Sequence, residues 1–495
     1  MKNSFKNNLK INLIITLITS ILSFVSNKYF SKYMGIETLG LMRLFTQIVA
    51  YLNLADMGIG MASAYALYKP LSEKNSEKIN IVISTIDYFY KRISIFILIV
   101  GLLLNIFLHN FIEITDYGVL LYIYWSLYVF NTSISYFYAK YSILFTANQE
   151  YERVRIIQGS GRVIFQILQI IFMIKIKSFL LFIVIMILEN LYLYIFYRKH
   201  FVKKYSNIKR VKNIDKKIIK DSKNLFWHKL AGVMVFNTDY IVLSKFTSLS
   251  IIGVYSSYLI VYQMIMTLIG IISNVLTPII GKFVAENSKD LIYKKWEELY
   301  LIYFYISTFM IICTYNLIVP FVKLWLGNEY ILPNLTIVLI LINLFIQMTR
   351  GVTETFKTMC GFFDDTYAPF LEGGLNLVFS LILVQKMGLN GVIIGTIISN
   401  VVVILSLKPI LVFKRCFNKK GLDYLKISSL YFVLTGISVF LCQLIVKRIK
   451  LDNIETWLNW ILKAFLVGGI SIVIVTIIFL LDKNFKQILR KITRI

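Results

Sequence analysis

Apolar positions along this chain gather into unalternating runs of about 20 residues, broken by short polar stretches rich in Lys and Asn. Windows long enough to cross roughly 30 Å of hydrocarbon fall at residues 11–30, 38–66, 93–113, 118–138, 154–175, 178–197, 226–246, 251–281, 298–321, 331–349, 366–385, 389–412, 427–446 and 457–481. They predict an all-α membrane protein with about 14 transmembrane helices. A membrane β-strand needs only about 10 residues and alternates apolar with polar, so a barrel does not fit.

Composition agrees. Of 495 residues, 58% are hydrophobic and 16% charged, against about half apolar and a quarter charged in soluble domains. A net charge of +27 would suggest nucleic acid in a soluble protein, but here the basic residues sit between the apolar runs. With the N-terminus inside, cytoplasmic segments hold 39 Lys/Arg and external ones 10, an asymmetry that predicts both termini in the cytoplasm of a cell whose inner membrane the chain spans. No small-x-small cleavage site follows the first run, which therefore reads as an uncleaved helix.

The chain also repeats faintly. Gly35-Ile36-Glu37-Thr38-Leu39-Gly40 opens the second run and Ser248-Leu249-Ser250-Ile251-Ile252-Gly253 the eighth, an offset of six helices. An even offset predicts two six-helix halves of the same orientation: residues 1–197 and 226–415, joined by a basic cytoplasmic linker at 198–225 and followed by a helix pair and basic tail at 416–495.

Nothing resembles a catalytic constellation. His109, His200 and His228 are scattered, the four cysteines suggest no disulfide or zinc site, and no phosphate-binding glycine motif is present, so no cofactor and no metal is expected. Energy for transport would come from an ion gradient, the membrane potential or consumption of substrate on the far side. Polar residues recur at helical spacing within the apolar runs: Arg155, Gly159, Arg162, Gln166 and Gln169; His228, Gly232 and Asp239; Gln263, Thr267, Gly270 and Asn274; Asn343, Gln347, Arg350 and Glu354. Such stripes either join helices by hydrogen bonds or line a wet cavity. Arg162 and Glu189 lie at matching depths on neighbouring runs and are expected to form a structural ion pair. Arg43, Lys229 and Lys463 are the other intramembrane cations; the bases suit an anionic substrate such as a pyrophosphate, or simply snorkel. Asp56 and Asp239 would bind a coupling cation or balance those bases.

The stretches "GIETLGLMRLFTQIVAYLNLADMGIG", "NTDYIVLSKFTSLSIIGVYSSYLIVYQMI" and "EGGLNLVFSLILVQKMGLNGVIIGTIISNVVVILSLKPILVF" together resemble the bacterial polysaccharide transporters of the multidrug/oligosaccharidyl-lipid/polysaccharide exporter superfamily, the Wzx-type flippases of O-antigen or capsule repeat units. The resemblance implies alternating-access transfer of an undecaprenyl-pyrophosphate-linked oligosaccharide to the outer leaflet, with membrane lipid and the pathway's polymerase and chain-length regulator as partners. It implies a cavity lined by the first, second, seventh and eighth helices, which places Arg43, Asp56, Lys229, Asp239 and Gln263 near substrate, with Asn274 on the same stripe as Gln263. A multidrug exporter would typically have twelve helices, a lipid II flippase has fourteen, and a glycosyltransferase or polymerase would carry larger external loops.

Overall fold

The computed structural model describes residues 2–56, 58–110, 112, 117–215, 218, 230, 233, 238–362, 365, 367–449 and 455–493, with side chains from residue 15 to residue 490. Among them every regular element is helical, and ten helices are long and apolar enough to cross a membrane. This is a multi-pass membrane protein. The chain divides into two compact units, Met1–Gly253 and Val254–Ile495.

Unit 1 begins with α1 (Lys2–Leu52), in which the first two apolar runs are continuous except at Gly35. There φ is 83° and ψ 167°, a conformation that strains any residue with a Cβ, so the expected external loop shrinks to one glycine kink. The second run is broken further on: a 3₁₀ turn, Asn53–Asp56, and the left-handed Gly58 separate α1 from α2 (Ile59–Ser72). α3 (Ser76–Leu103), α4 (Val119–Ala147), α5 (Tyr151–Lys175) and α6 (Phe179–Lys204) complete the bundle. Asn75 and Ser178 start α3 and α6 by accepting the amides of Lys78 and Leu181, at 3.0 and 3.3 Å. α1 packs on α5, α3 on α4, and α4 on α6.

The repeated motif meets its own copy. α7 (Leu249–Glu286) crosses α1 so closely that a Cβ on Gly40 would lie 1.9 Å from the Leu249 carbonyl oxygen, and one on Gly253 would lie 2.3 Å from that of Ile36. Glu37 and Ser250, equivalent in the repeat, hydrogen-bond at 3.2 Å.

In unit 2, α8 (Lys289–Leu326), α9 (Asn334–Met359), α10 (Tyr367–Met387) and α11 (Leu389–Phe417) are followed by α12 (Gly421–Arg448), α13 (Trp457–Phe479) and the short α14 (Lys483–Thr493). α11 widens to a π-helix at Asn400–Leu407 and Phe413–Phe417. α10 packs along α11, and α8 against α9 and α13. Stacked and edge-on rings from Trp296, Tyr300, Phe304, Phe413, Tyr424 and Tyr431 fill the centre between α8, α11 and α12. In both units large apolar side chains such as Ile21, Phe96, Ile195, Leu268, Phe440 and Phe465 remain exposed, as a lipid-facing surface requires.

Candidate functional site

Arg43 leads the polar interior of unit 1. It sits two turns into the part of α1 beyond the kink, half-buried, and one of its terminal nitrogens donates to Asn27 Oδ1 at 3.4 Å. Its Nε is buried with no hydrogen-bond partner among the described residues, as is Oε1 of Gln47 one turn along. Its charge acts on two buried tyrosines, Tyr128 of α4 and Tyr240. Asp239, in the helical stretch 238–246, acts on the same Tyr240 and on Tyr51, whose hydroxyl bonds Thr238 at 2.6 Å. Arg43 and Asp239 are thus brought to one tyrosine-lined group. Asp56 belongs to a second group at the 3₁₀ break, where it hydrogen-bonds Tyr90 and acts on Tyr136, itself bonded to Asn53 Oδ1 at 2.9 Å.

The other expected site residues divide. Lys229 lies outside the described residues. Gln263, Thr267 and Asn274 present an exposed polar face of α7, and no atom approaches Gly270 within 4 Å of a Cβ position. The α5 stripe splits between two directions. Gln166 and Gln169 are buried, Gln166 bonds Ser23 of α1 at 3.0 Å, and Gly159 admits Ile15, whereas Arg162 is exposed. Glu189 feels the field of Arg162, but the two make no ion pair within 4.0 Å among the described residues. Matching depth put them on the same level without fixing which way each side chain faces round its helix.

The polar stripe of α9 finds partners that its own sequence did not name. Glu372 of α10, 2% exposed, lies 3.5 Å from Arg350 and 3.8 Å from Lys408 of α11. Lys408 also reaches Glu354 at 3.1 Å, and Lys357 bridges Glu354 at 3.6 Å and Asp365 at 2.6 Å. Asn400 donates to Asn343 at 2.7 Å, and Gln347 donates to Asn400 at 3.4 Å. Three cations and three carboxylates therefore tie α9, α10 and α11 together. The signal in the sequence was Glu372 itself, a lone carboxylate inside an apolar run.

Unit 1 has its own buried ion groups near the basic ends of its helices. Asp87 of α3 pairs with Lys91 at 2.7 Å and Lys140 of α4 at 2.5 Å. Glu150, between α4 and α5, takes bonds from Asn148 (3.0 Å), His200 (2.9 Å), Lys204 (3.1 Å) and Tyr205. Burial alone would push the Glu150 carboxyl up; the bonds from Tyr205, Asn148, His200 and Lys204 outweigh it and bring it down to about 2. All four cysteines are free, and Cys360 shares a hydrogen bond with Cys416.

The helical bundle is similar to several solved membrane-transport proteins. The lipid II flippase MurJ in an inward closed conformation superposes with a TM-score of 0.70 at 15% identity, over 94% of this chain and 98% of that one. An inward-facing multidrug resistance MATE family transporter of the MOP superfamily gives 0.60 at 16% identity, over 79% and 94%. A MATE structure in the bent conformation gives 0.55 at 15% identity, over 87% and 97%. The fold is the one these solved structures share. The chain belongs to the polysaccharide biosynthesis protein family, whose profile matches residues 5–284. No curated protein matches the chain.

Proposed function

We propose that this protein is a flippase that carries an undecaprenyl-pyrophosphate-linked oligosaccharide, an O-antigen or capsule repeat unit, from the cytoplasmic to the outer leaflet of the bacterial inner membrane by alternating access. It acts as a transporter and not as an enzyme. Membership of a polysaccharide biosynthesis family supports the pathway. The observation that carries the reading is Arg43, an intramembrane guanidinium whose buried Nε has no partner among the described residues and whose neighbours are tyrosines and amides. Such a group holds donors in reserve for an anion, and neutralising a pyrophosphate lowers the cost of withdrawing it from water. Asp56, Asp239, Gln263 and Asn274 are the accompanying cavity candidates, with Lys229.

Arg43→Ala should cut surface polysaccharide more than tenfold at matched protein level while lipid-linked repeat units accumulate, since one charge-assisted contact is worth about 1.5–3 kcal/mol. Arg43→Lys should keep part of the activity as a point charge. Normal surface polysaccharide in Arg43→Ala, in a cell with no second flippase, would refute this. A lipid II flippase is the second reading, favoured by the likeness to MurJ; it requires the chain to restore growth to a cell stripped of its lipid II flippase.

A further inference from the structure

α2, α3 and the stretch that follows α6 line a half-open pocket of ≈ 590 Å³ in unit 1, within the range of about 300–1,000 Å³ typical of small-ligand sites. It lies at the basic end of these helices, the end that the loop charges assign to the cytoplasm, and its lining does not include Arg43. Tyr65 and Tyr68, from the last turns of α2, are 71% and 49% exposed, with their rings edge-to-face at 6.5 Å. Lys69 comes next on α2, and Lys78 enters from the first turn of α3; Asp215 is the carboxylate in the lining. Lys69 makes one loose contact, 3.7 Å to the exposed Glu73, which holds it weakly. Lys78 makes no side-chain ion pair among the described residues.

The third wall is the surprise for a segment that reads as a solvated linker. The backbone amides of Lys209, Val211 and Asp215 donate to Asn80 Oδ1, Ser84 Oγ and Thr85 Oγ1, at 2.9, 2.9 and 3.0 Å. Asn80 and Ser84 stand one turn apart on a face of α3, Thr85 follows Ser84, and Ser84 and Thr85 are buried, so the linker is docked in one register. An ordinary interfacial belt would explain the tyrosines, and snorkelling would explain Lys69. Neither explains a linker held to α3 by its amides, which brings Asp215 and Ile218 into the lining of the same pocket.

We propose that this pocket is the cytoplasmic loading site for the lipid-linked saccharide, with Lys69 and Lys78 taking the diphosphate and the faces of Tyr65 and Tyr68 taking the first sugar. The inference rests on the flippase reading and names where its substrate is first held. Two ammonium groups from different helices suit two adjacent phosphates, and aromatic faces suit the C–H face of a pyranose. The position at the end of the apolar run leaves a prenyl tail in lipid.

The test is equilibrium binding, by native mass spectrometry, of the full chain in phosphatidylcholine nanodiscs to three probes: farnesyl-diphosphate-linked N-acetylglucosamine, farnesyl diphosphate and phosphatidylglycerol. Lys69→Gln and Lys78→Gln should each raise Kd for both diphosphates about tenfold. Tyr65→Ala and Tyr68→Ala should raise Kd for the saccharide about threefold to tenfold and leave farnesyl diphosphate unchanged. All four side chains are exposed, and a monodisperse elution profile checks that each variant folds. Wild-type binding that none of the four variants weakens overturns the pocket and leaves the flippase reading standing. If wild type binds neither diphosphate, both fall. If phosphatidylglycerol binds as tightly, depends on the lysines and ignores the tyrosines, the pocket reads a phospholipid headgroup and the saccharide assignment is overturned.

Discussion

Removing Glu372 should expose how much the charge network of unit 2 contributes to folding. The carboxylate is 3.5 Å from Arg350 and 3.8 Å from Lys408, and at an effective dielectric of 20 each contact corresponds to a gross attraction of about 4–5 kcal/mol. Desolvating each ion costs several kcal/mol, so the intact set is close to balance, and the loss appears when one member goes. Lys408 keeps Glu354 at 3.1 Å after the change, whereas Arg350 loses its ion-pair contact and keeps only the more distant field of Glu354. Glu372→Met should therefore destabilise unit 2 by about 3–5 kcal/mol, most of it from the stranded guanidinium. Arg350→Met should cost a similar amount for the opposite reason. The double variant, which buries two apolar chains of similar bulk, should recover about 1–3 kcal/mol of the summed loss. Thermal midpoints of the detergent-solubilised protein, followed by fluorescent size exclusion, give all four corners of the cycle. Losses that add to within about 0.5 kcal/mol would show that the two charges are not coupled and that the reasoning is wrong.

A reporter active only outside the cytoplasm should be silent when fused after Lys217 and active after Asp116; the reverse pattern would overturn the orientation read from the loop charges. Because Arg162 and Glu189 interact by field and not by contact, their cycle should show a coupling below about 1 kcal/mol, and charge-swap rescue of a destabilised single variant would contradict this geometry. Glu150 titrates at about 2 in the folded chain against an ordinary 4.5, so its bonds stabilise fully above 4.5 and are lost as pH falls towards 2. Thermal midpoints of wild type should fall through that window more steeply than those of Glu150→Gln, and parallel curves would remove the claim.

The membrane-crossing parts were legible because hydrocarbon thickness sets their length, and each described run does become helix. The polar ends were not. α3 begins at Ser76 and α8 at Lys289, before the apolar windows at 93 and 298, because a helix continues past the bilayer wherever its caps and ion pairs allow. Within the candidate site, periodicity placed Asn343, Gln347, Arg350 and Glu354 on one face but said nothing of Glu372 or Asn400, which belong to other helices. The docking of residues 209–215 was invisible for a deeper reason: it uses backbone amides, which every sequence has. The repeat around Gly40 and Gly253 was read as a sign of duplication, and its physical content, two helices touching through absent side chains, emerged only in three dimensions.

The π-helical turns of α11 bear on how sequences of this kind should be aligned. A wide turn holds one more residue than an α-turn, and within Asn400–Leu407 the Ser406 hydroxyl accordingly reaches back five residues, to the Val401 carbonyl. Lys408 follows this stretch, so its bearing on Glu354 and Glu372 depends on the surplus length. Deleting one residue from 401–407 would rotate everything beyond by about 100° and carry Lys408 off both carboxylates. Relatives without the wide turns should therefore show their gaps inside this helix, in the middle of an apolar run where an aligner penalises them most, and an ungapped alignment would pair Lys408 with the wrong residue.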